Sequence, residues 1–157
     1  MGTDVSGDRD RCPSGVYLID AVEREQVLRH GAFPPEFAVA ILDGTKAGSR
    51  AGFFQEISHA LSFPAYFGHN WDAVYDCLTD PSWLPAAAGY VLMLDGFDQL
   101  ATDEPEQWNI ALKVLREACA FWQPLTRPMC ALLYGPSELA PGVPSLPSAC
   151  LSSWPDA

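Results

Sequence analysis

The chain has 157 residues, of which 48% are hydrophobic and 11% aromatic, and this composition can form the core of one domain without disulfides or metals. Its 20 acidic and 9 basic residues give a net charge of −11, which argues against direct binding to nucleic-acid phosphates. No segment reaches the roughly 20 apolar residues of a membrane helix, and the polar start of the chain lacks the apolar centre of a signal peptide. We therefore expect a cytoplasmic protein that contacts neither a membrane nor nucleic acid.

The amino-terminal part is predicted to contain a disordered start followed by one strand and one helix. Residues 1–15 are polar and rich in Gly, Ser and Asp, a composition typical of disorder. Residues 16–19 form a short apolar run that predicts a strand. Asp20 and Glu23 have the spacing of a capping box, so a helix should follow and end near Gly31.

Strand-like and helix-like segments then alternate up to residue 135. Apolar runs bounded by turn residues predict strands at 37–42, 89–94 and 129–134. Helical spacing of apolar residues predicts helices at 49–61, 70–79 and 105–122. Strands that alternate with helices require crossover connections, which favour a mainly parallel sheet.

These elements predict a domain organisation. Residues 37–135 would form one α/β domain, and residues 16–36 would add a strand and a helix at one edge of its sheet. Residues 136–157 contain five prolines and five serines and are predicted to be a flexible tail.

The acidic residues are concentrated in the middle of the chain, between Arg50 and Lys113. This stretch contains no lysine or arginine and carries nine acids: Glu56, Asp72, Asp76, Asp80, Asp95, Asp98, Asp103, Glu104 and Glu106. A field of one sign can attract a basic partner. It can equally serve solubility, and charge alone does not decide between the two.

The cysteines and histidines do not predict a metal or cofactor site. The five cysteines have no CxxC spacing, and the three histidines are scattered, so no zinc cluster is expected. Three of the cysteines fall in apolar patterns, where a reduced thiol packs as a small hydrophobe: Cys77, Cys119 and Cys130.

The helix predicted at 70–79 has two chemically different faces. Its buried face is predicted to carry Trp71, Val74, Cys77 and Leu78, and its other face Asp72, Tyr75, Asp76 and Thr79. The two aspartates are neighbours of like charge, which costs a few tenths of a kcal/mol in helix stability. A cationic partner would relieve that repulsion.

Three roles for the aspartate pair follow from the residues alone. General acid–base catalysis is disfavoured, because catalytic carboxylates normally lie in a cleft on different elements. A metal site would need more ligands, and only His69 is near in sequence. A merely solvated acidic helix face stays open beside partner binding.

Residues 63–79, with the pattern F-P-x-Y-F-G-x-N-x-D-A-x-x-D-C-L-T, resemble the signature of the barstar family of intracellular ribonuclease inhibitors. A second block, A-L-K-V-L-R-E-A at 111–118, resembles the last helix of that family. The resemblance extends over about residues 37–134. It implies a three-stranded parallel sheet packed with helices, to which the amino-terminal extension adds one strand and one helix.

The resemblance also implies a binding surface in which carboxylates take the place of RNA phosphates. Asp76 would insert deepest into the active site of the ribonuclease, with Asp72 beside it and Tyr66 stacked over the catalytic histidine. The full implied surface consists of Tyr66, Gly68, Asn70, Asp72, Tyr75, Asp76, Thr79, Asp80 and Glu117.

Three residues depart from the family pattern. Tyr75 stands in place of a tryptophan, Trp71 in place of a leucine, and His69 in place of a glutamate. These differences leave the identity of the target enzyme open.

The leading hypothesis is a non-catalytic bacterial immunity protein, or antitoxin, that binds a basic extracellular-type ribonuclease or related nuclease toxin in a 1:1 complex without a cofactor. The alternative is a binding module of the same fold with a non-nuclease partner. A third hypothesis, a small hydrolase that uses the carboxylates, has neither a nucleophile–base pair nor a phosphate-binding glycine loop to support it.

Overall fold

A computed structural model describes residues 13–29, 33–65, 67–80, 84, 86–147 and 150. Within these ranges the strands are β1 (Gly15–Ile19), β2 (Phe37–Asp43), β3 (Gly89–Asp95) and β4 (Met129–Tyr134). The helices are α1 (Ala21–Leu28), α2 (Arg50–Leu61), α3 (Trp71–Leu78), α4 (Asp98–Asp103) and α5 (Pro105–Trp122), followed by a short 3-10 helix at Ser137–Leu139.

The four strands form one parallel sheet in the order β1-β4-β3-β2. The α/β prediction with a parallel sheet is therefore confirmed. The predicted extra strand is present as β1, which lies at one edge and pairs with β4 from Gly15 opposite Cys130 to Ile19 opposite Tyr134. The opposite edge of the sheet is β2, which pairs with β3.

Helices α2 to α5 cover one face of the sheet and form the main core with it. Trp122 at the end of α5 is almost fully buried, and its indole N–H donates to the carbonyl oxygen of Leu78 at 2.9 Å. Phe97 stacks on Trp108 with ring centroids 4.7 Å apart, which joins the end of β3 to α5. The Trp122 hydrogen bond holds α3 alongside α5.

The second face of the sheet has its own smaller core. Val91, Met93, Cys130 and Leu132 point to this face and are buried there. Their cover comes from the parts of the chain outside the predicted domain, through Val27, Phe33, Leu146 and Cys150. Burial on both faces explains why β3 and β4 are continuous apolar runs and not alternating ones.

The predicted burial of Cys77, Cys119 and Cys130 is confirmed, and Cys150 is buried as well. Burial raises the pKa of Cys119 to about 12, so this thiol stays neutral at ordinary pH. Cys12 lies outside the described residues.

A bidentate ion pair fixes α1 to the sheet. Asp20 caps α1 and completes the predicted capping box with Glu23, through two hydrogen bonds of 2.8 Å. One turn later Arg24 donates from Nε to Asp95 Oδ1 at 2.6 Å and from Nη2 to Asp95 Oδ2 at 3.0 Å. The guanidinium also lies 5.2 Å from the centre of the Tyr134 ring. The end predicted at Gly31 lies outside the described residues, and α1 ends earlier, at Leu28.

The prediction of a flexible tail is wrong for residues 136–147, which pack against the domain. The indole N–H of Trp108 donates to Leu139 O at 2.7 Å. Leu18 of β1 donates to Pro144 O and accepts from the N–H of Leu146, both at 2.8 Å. The prolines of this segment do not prevent its packing. The apolar residues between them are buried: Ala140, Val143 and Leu146.

The predicted disorder of residues 1–15 is likewise wrong at its carboxyl end. Gly15 belongs to β1, and Ser14 is buried with its hydroxyl oxygen accepting from the N–H of Met129 at 2.9 Å. Residues 1–12 and 148–149 and the segment 151–157 lie outside the described residues. None of the described helices is both long and apolar enough to cross a bilayer.

Replacing Arg24 by alanine should lower the free energy of unfolding by about 2 kcal/mol, because it removes two charge-assisted hydrogen bonds at a partly buried carboxylate. Arg29→Ala is the matched control, since the Arg29 side chain is 80% exposed and, among the described residues, forms an ion pair with Glu25 alone. It should cost a few tenths of a kcal/mol. Urea titration of both variants measures the difference, and equal losses would show that the ion pair does not hold α1.

Leu146→Ala should destabilise the fold by about 2–4 kcal/mol, because this side chain is only 4% exposed. The same change at Leu125, which is 45% exposed, should cost less than about 1 kcal/mol. Thermal and urea unfolding compare the two. A Leu146→Ala variant as stable as wild type would mean that the carboxyl-terminal segment is not part of the core.

Candidate partner-binding site

The loop between α2 and α3 is held to the domain by aromatic packing. Phe67 is 5% exposed, and its ring centroid lies 4.9 Å from that of Phe63 and 6.2 Å from that of Phe54. Its N–H donates to Pro64 O at 2.9 Å. Residues 68–70, which follow Phe67, are exposed, but the packing of Phe67 fixes the position from which they extend.

His69 adopts a left-handed backbone conformation with φ of 55°. Histidine is among the few residue types enriched there, although the conformation still carries strain. Two contacts support it: ring atom Nδ1 lies 3.1 Å from Phe67 O, and the ring packs 4.8 Å from the Phe67 ring. Both contacts support the path of the chain from Phe67 into α3.

Asn70 caps the amino terminus of α3. Its Oδ1 accepts from the N–H of Ala73 at 2.8 Å, and its Nδ2 donates to Gly68 O at 3.3 Å. A Cβ on Gly68 would lie 3.1 Å from this Nδ2, which is closer than most real contacts. Glycine at 68 thus lets the loop fold back on its own cap.

The inner face of α3 is close to the prediction. Val74, Cys77 and Leu78 are buried. Trp71 is half-buried, with its ring 5.1 Å from Phe53 and 4.7 Å from Phe54. Its indole N–H donates to Gln107 Oε1 on α5 at 2.8 Å, which fixes the rotation of α3 about its own axis.

The outer face of α3 presents the two aspartates to solvent. Asp72 and Asp76 are both exposed, and no residue within the described ranges forms an ion pair with either. Tyr75 is only half-buried and packs against the main core. Thr79 is half-buried too, and its hydroxyl donates to Tyr75 O at 2.8 Å. The four residues predicted on this face therefore divide into two exposed charges and two partly packed neighbours.

Local electrostatics reflect this concentration of charge. Asp72 lies in the first turn of α3, where the helix dipole favours a carboxylate. The pKa of the Cys77 thiol is raised, chiefly by burial and further by the negative charges of Asp76 and Asp80. Both carboxylates are thus near enough to act on one buried group. Asp80 itself is half-buried.

Part of the acidic stretch seen in the sequence serves the fold instead. Asp95 pairs with Arg24, Glu56 accepts from the N–H of Asp43 at 3.0 Å, and Glu104 accepts from the N–H of Arg50 at 3.1 Å. The five acids of this stretch that are exposed are Asp72, Asp76, Asp98, Asp103 and Glu106. The guanidinium of Arg50 also lies over the Phe54 ring at 4.7 Å, so a cation is present on the aromatic cluster that supports α3.

A family model described as barstar (barnase inhibitor) matches residues 37–134, which is more than half of the chain. The chain belongs to the barstar family. The matched region begins with the first residue of β2 and ends with the last residue of β4, so α3 and its loop lie inside it. The additions to this barstar unit are β1, α1 and the carboxyl-terminal segment.

Most of the residues that the barstar resemblance implied for binding are close together in the structure. Gly68, Asn70, Asp72, Tyr75, Asp76, Thr79 and Asp80 all belong to α3 or directly flank it. Glu117 lies on α5, is 52% exposed and pairs with Lys113 at 3.4 Å. Tyr66 lies outside the described residues. The binding role of these residues stays a prediction.

The supporting contacts of the barstar helix were not predicted from the sequence. Gln107, Phe53 and Phe54 fix Trp71, but they are distant in sequence and their types are common in any helix. The replacement of the family's leucine by Trp71 was the available signal, because a buried indole N–H needs an acceptor. No group of three or more His, Cys, Asp or Glu side chains among the described residues is arranged to hold a metal ion.

Asn70→Ala should lower the free energy of unfolding by about 1 kcal/mol, because the N–H of Ala73 loses its capping acceptor. Asn70→Ser keeps an oxygen that can cap the helix but lacks the amide that donates to Gly68 O. Serine should therefore restore stability without restoring the loop contact. Urea unfolding tests this comparison, and equal losses in the two variants would contradict a capping role.

Proposed function

We propose that this protein is a non-catalytic inhibitor of a basic, barnase-like ribonuclease, and that it blocks the active site of that enzyme with α3 and the loop before it. The observation that carries the proposal is the pair Asp72 and Asp76. Both carboxylates are exposed and have no ion-pair partner within the described ranges, on a helix whose opposite face is fixed by packing.

The chemistry of the target explains why such a pair would inhibit it. A ribonuclease binds the phosphates of its substrate with arginine, lysine and histidine side chains. Carboxylates one helical turn apart offer these cations a substitute for phosphate without a bond that can be cleaved. Because Trp71, Asn70 and Phe67 hold the loop and helix before binding, little conformational entropy is lost on association.

The charge of the whole protein supports rapid recognition. A net charge of −11 attracts a basic enzyme over a distance set by ionic strength. Barnase and barstar are themselves the standard example of such electrostatic steering. For a ribonuclease that threatens the cell that makes it, fast capture is the relevant property.

This role would place the protein in the bacterial cytoplasm as the immunity partner of a secreted or injected nuclease, in a 1:1 complex. One α3 per chain offers one acidic helix, and one enzyme active site accepts it. In this arrangement the inhibitor itself performs no chemistry.

A second candidate, a binding module with a non-nuclease partner, is favoured by the elements outside the family match. The β1–α1 unit and the carboxyl-terminal segment reshape the second face of the sheet. On the helix face the carboxyl-terminal segment contacts α5, where Trp108 donates to Leu139 O and Arg116 donates to Pro141 O. Asp72 and Asp76 of α3 nevertheless stay exposed. The ribonuclease proposal is therefore the stronger one.

Asp76→Ala should weaken inhibition of a sensitive ribonuclease by at least about 30-fold, since hot-spot residues contribute 2 kcal/mol or more. Asp72→Ala should have a smaller effect in the same direction. Glu25→Ala is the control, because it removes the same charge from an exposed residue of α1, whose buried Val27 packs on the other face of the sheet. It should change the affinity by less than about threefold.

The inhibition constants of wild type and variants are measured by titrating each of them into barnase and into the basic secreted ribonucleases of the producing organism. Both aspartates are exposed, so thermal unfolding should show intact folds. If a ribonuclease is inhibited and both aspartate variants inhibit it as strongly as wild type, the assigned face is wrong. If no ribonuclease is inhibited while another protein binds through α3, the second candidate is correct.

A further inference from the structure

The two edge strands of the sheet, β1 and β2, differ in whether another segment of the described chain lies beside them. The β1 edge is covered, because Leu18 is hydrogen-bonded on its outer side to Pro144 and Leu146 and forms a bridge with Ser145. The edge at β2 has no such strand or segment beside it within the described ranges. An open edge exposes a row of backbone donors and acceptors and is usually blocked in soluble proteins.

The hydrogen-bond pattern identifies which groups of β2 face outward. Gly44 N–H donates to Asp95 O across to β3, so the even-numbered residues of β2 face the sheet. The odd-numbered residues therefore face outward. At the two ends the outward N–H groups are already used, since Phe37 N–H donates to Pro34 O and Asp43 N–H donates to Glu56 Oε1. The outward groups that have no partner within the described ranges are the N–H and C=O of Val39 and Ile41.

Apolar surface accompanies these open backbone groups on both faces of the edge. On the second face, the side chains of Val39 and Ile41 are 42% and 39% exposed. On the helix face, a cavity of about 310 Å³ lies between β2 and the end of α2. It is lined by small and apolar side chains that include Ala38, Ala40, Ala60, Leu61 and Leu84. An added strand could bury alternate side chains on each face.

Charge limits what can occupy the edge. Exposed Glu36 stands before one end, and Asp43 with Glu56 stands at the other. The pKa of Asp43 is lowered, first by the hydrogen bond from the Thr45 hydroxyl and then by that from the Thr45 backbone, so this carboxyl stays ionised. Lys46 offsets part of this charge. A second copy of the chain would bring the same acids and a further −11 to the edge.

We propose that β2 is a docking edge for an extended segment of a partner protein, with alternating apolar side chains and with lysine or arginine at its ends. The segment would add a fifth strand to the sheet. Val39 and Ile41 supply the main-chain hydrogen bonds, the cavity takes a side chain of the segment, and the terminal carboxylates pair with its flanking cations. This edge is separate from α3, so the inference does not depend on ribonuclease inhibition.

A synthetic peptide tests the proposal, with valine alternating with threonine and lysines at both ends. It should bind the full-length chain and slow hydrogen exchange at the amides of Val39 and Ile41. The same peptide with glutamates in place of the lysines should bind at least about tenfold more weakly at low salt. Glu36→Gln, a change at an exposed side chain, should reduce that preference.

A matched pair of variants isolates the backbone contact. Val39→Pro removes one outward N–H and leaves the pairing with β3 intact, which an edge strand tolerates. It should weaken peptide binding by about tenfold. Val39→Thr keeps the N–H and the branched side chain and should bind nearly as wild type, and urea unfolding verifies that both variants are folded.

Four outcomes would overturn the proposal. The first is no binding of the lysine peptide below about 1 mM. The second is equal binding by the proline and threonine variants. The third is protection of the Val39 and Ile41 amides in the isolated monomer, which would mean that the chain covers its own edge. The fourth is a dimer in sedimentation velocity that Val39→Pro dissociates, which would assign the edge to a second copy. Wild-type inhibition of a ribonuclease is measured separately and is unaffected by any of these results.

Discussion

Trp71 packs its indole against Phe53 and Phe54 and donates its N–H to Gln107, and these contacts orient the acidic helix α3. An isolated helix of eight residues would be marginal in water, so α3 exists because its inner face is packed. The direction in which Asp72 and Asp76 point is set by the same contacts. Loss of these contacts would remove the helix together with the arrangement of its two exposed carboxylates.

The exposed carboxylates on α3 reduce the stability of the helix, and other contacts compensate for that loss. Two like charges one turn apart weaken a helix slightly, and a left-handed His69 adds strain just before it. The cap at Asn70 and the aromatic cluster compensate for both. The fold thus tolerates a charge repulsion that costs stability in the free protein and that a basic partner would relieve. Such local conflicts are typical of functional sites.

Local patterns predicted the elements, whereas distant contacts were not predictable. The capping box of Asp20, the start of α3 near Asn70 and the apolar strands are properties of neighbouring residues, and each was found within one or two positions. Helix α4 was missed because six residues with two aspartates show no clear period. The pair of Arg24 with Asp95 joins positions 71 residues apart, which no local pattern records. The carboxyl-terminal segment was misjudged because its proline and serine content resembles that of a flexible tail.

The position of β1 has a consequence for how the protein is made. Gly15 is synthesised before the other strands of the sheet, yet its partner Cys130 belongs to the last of the described strands, and the segment that covers β1 comes later still. Ribosomes add about 5–20 residues per second, so several seconds pass between the synthesis of β1 and that of β4, the strand with which it pairs. The four-stranded sheet cannot be completed before β4 has been synthesised. β1 can therefore join the sheet only after the barstar unit, residues 37–134, has been synthesised in full.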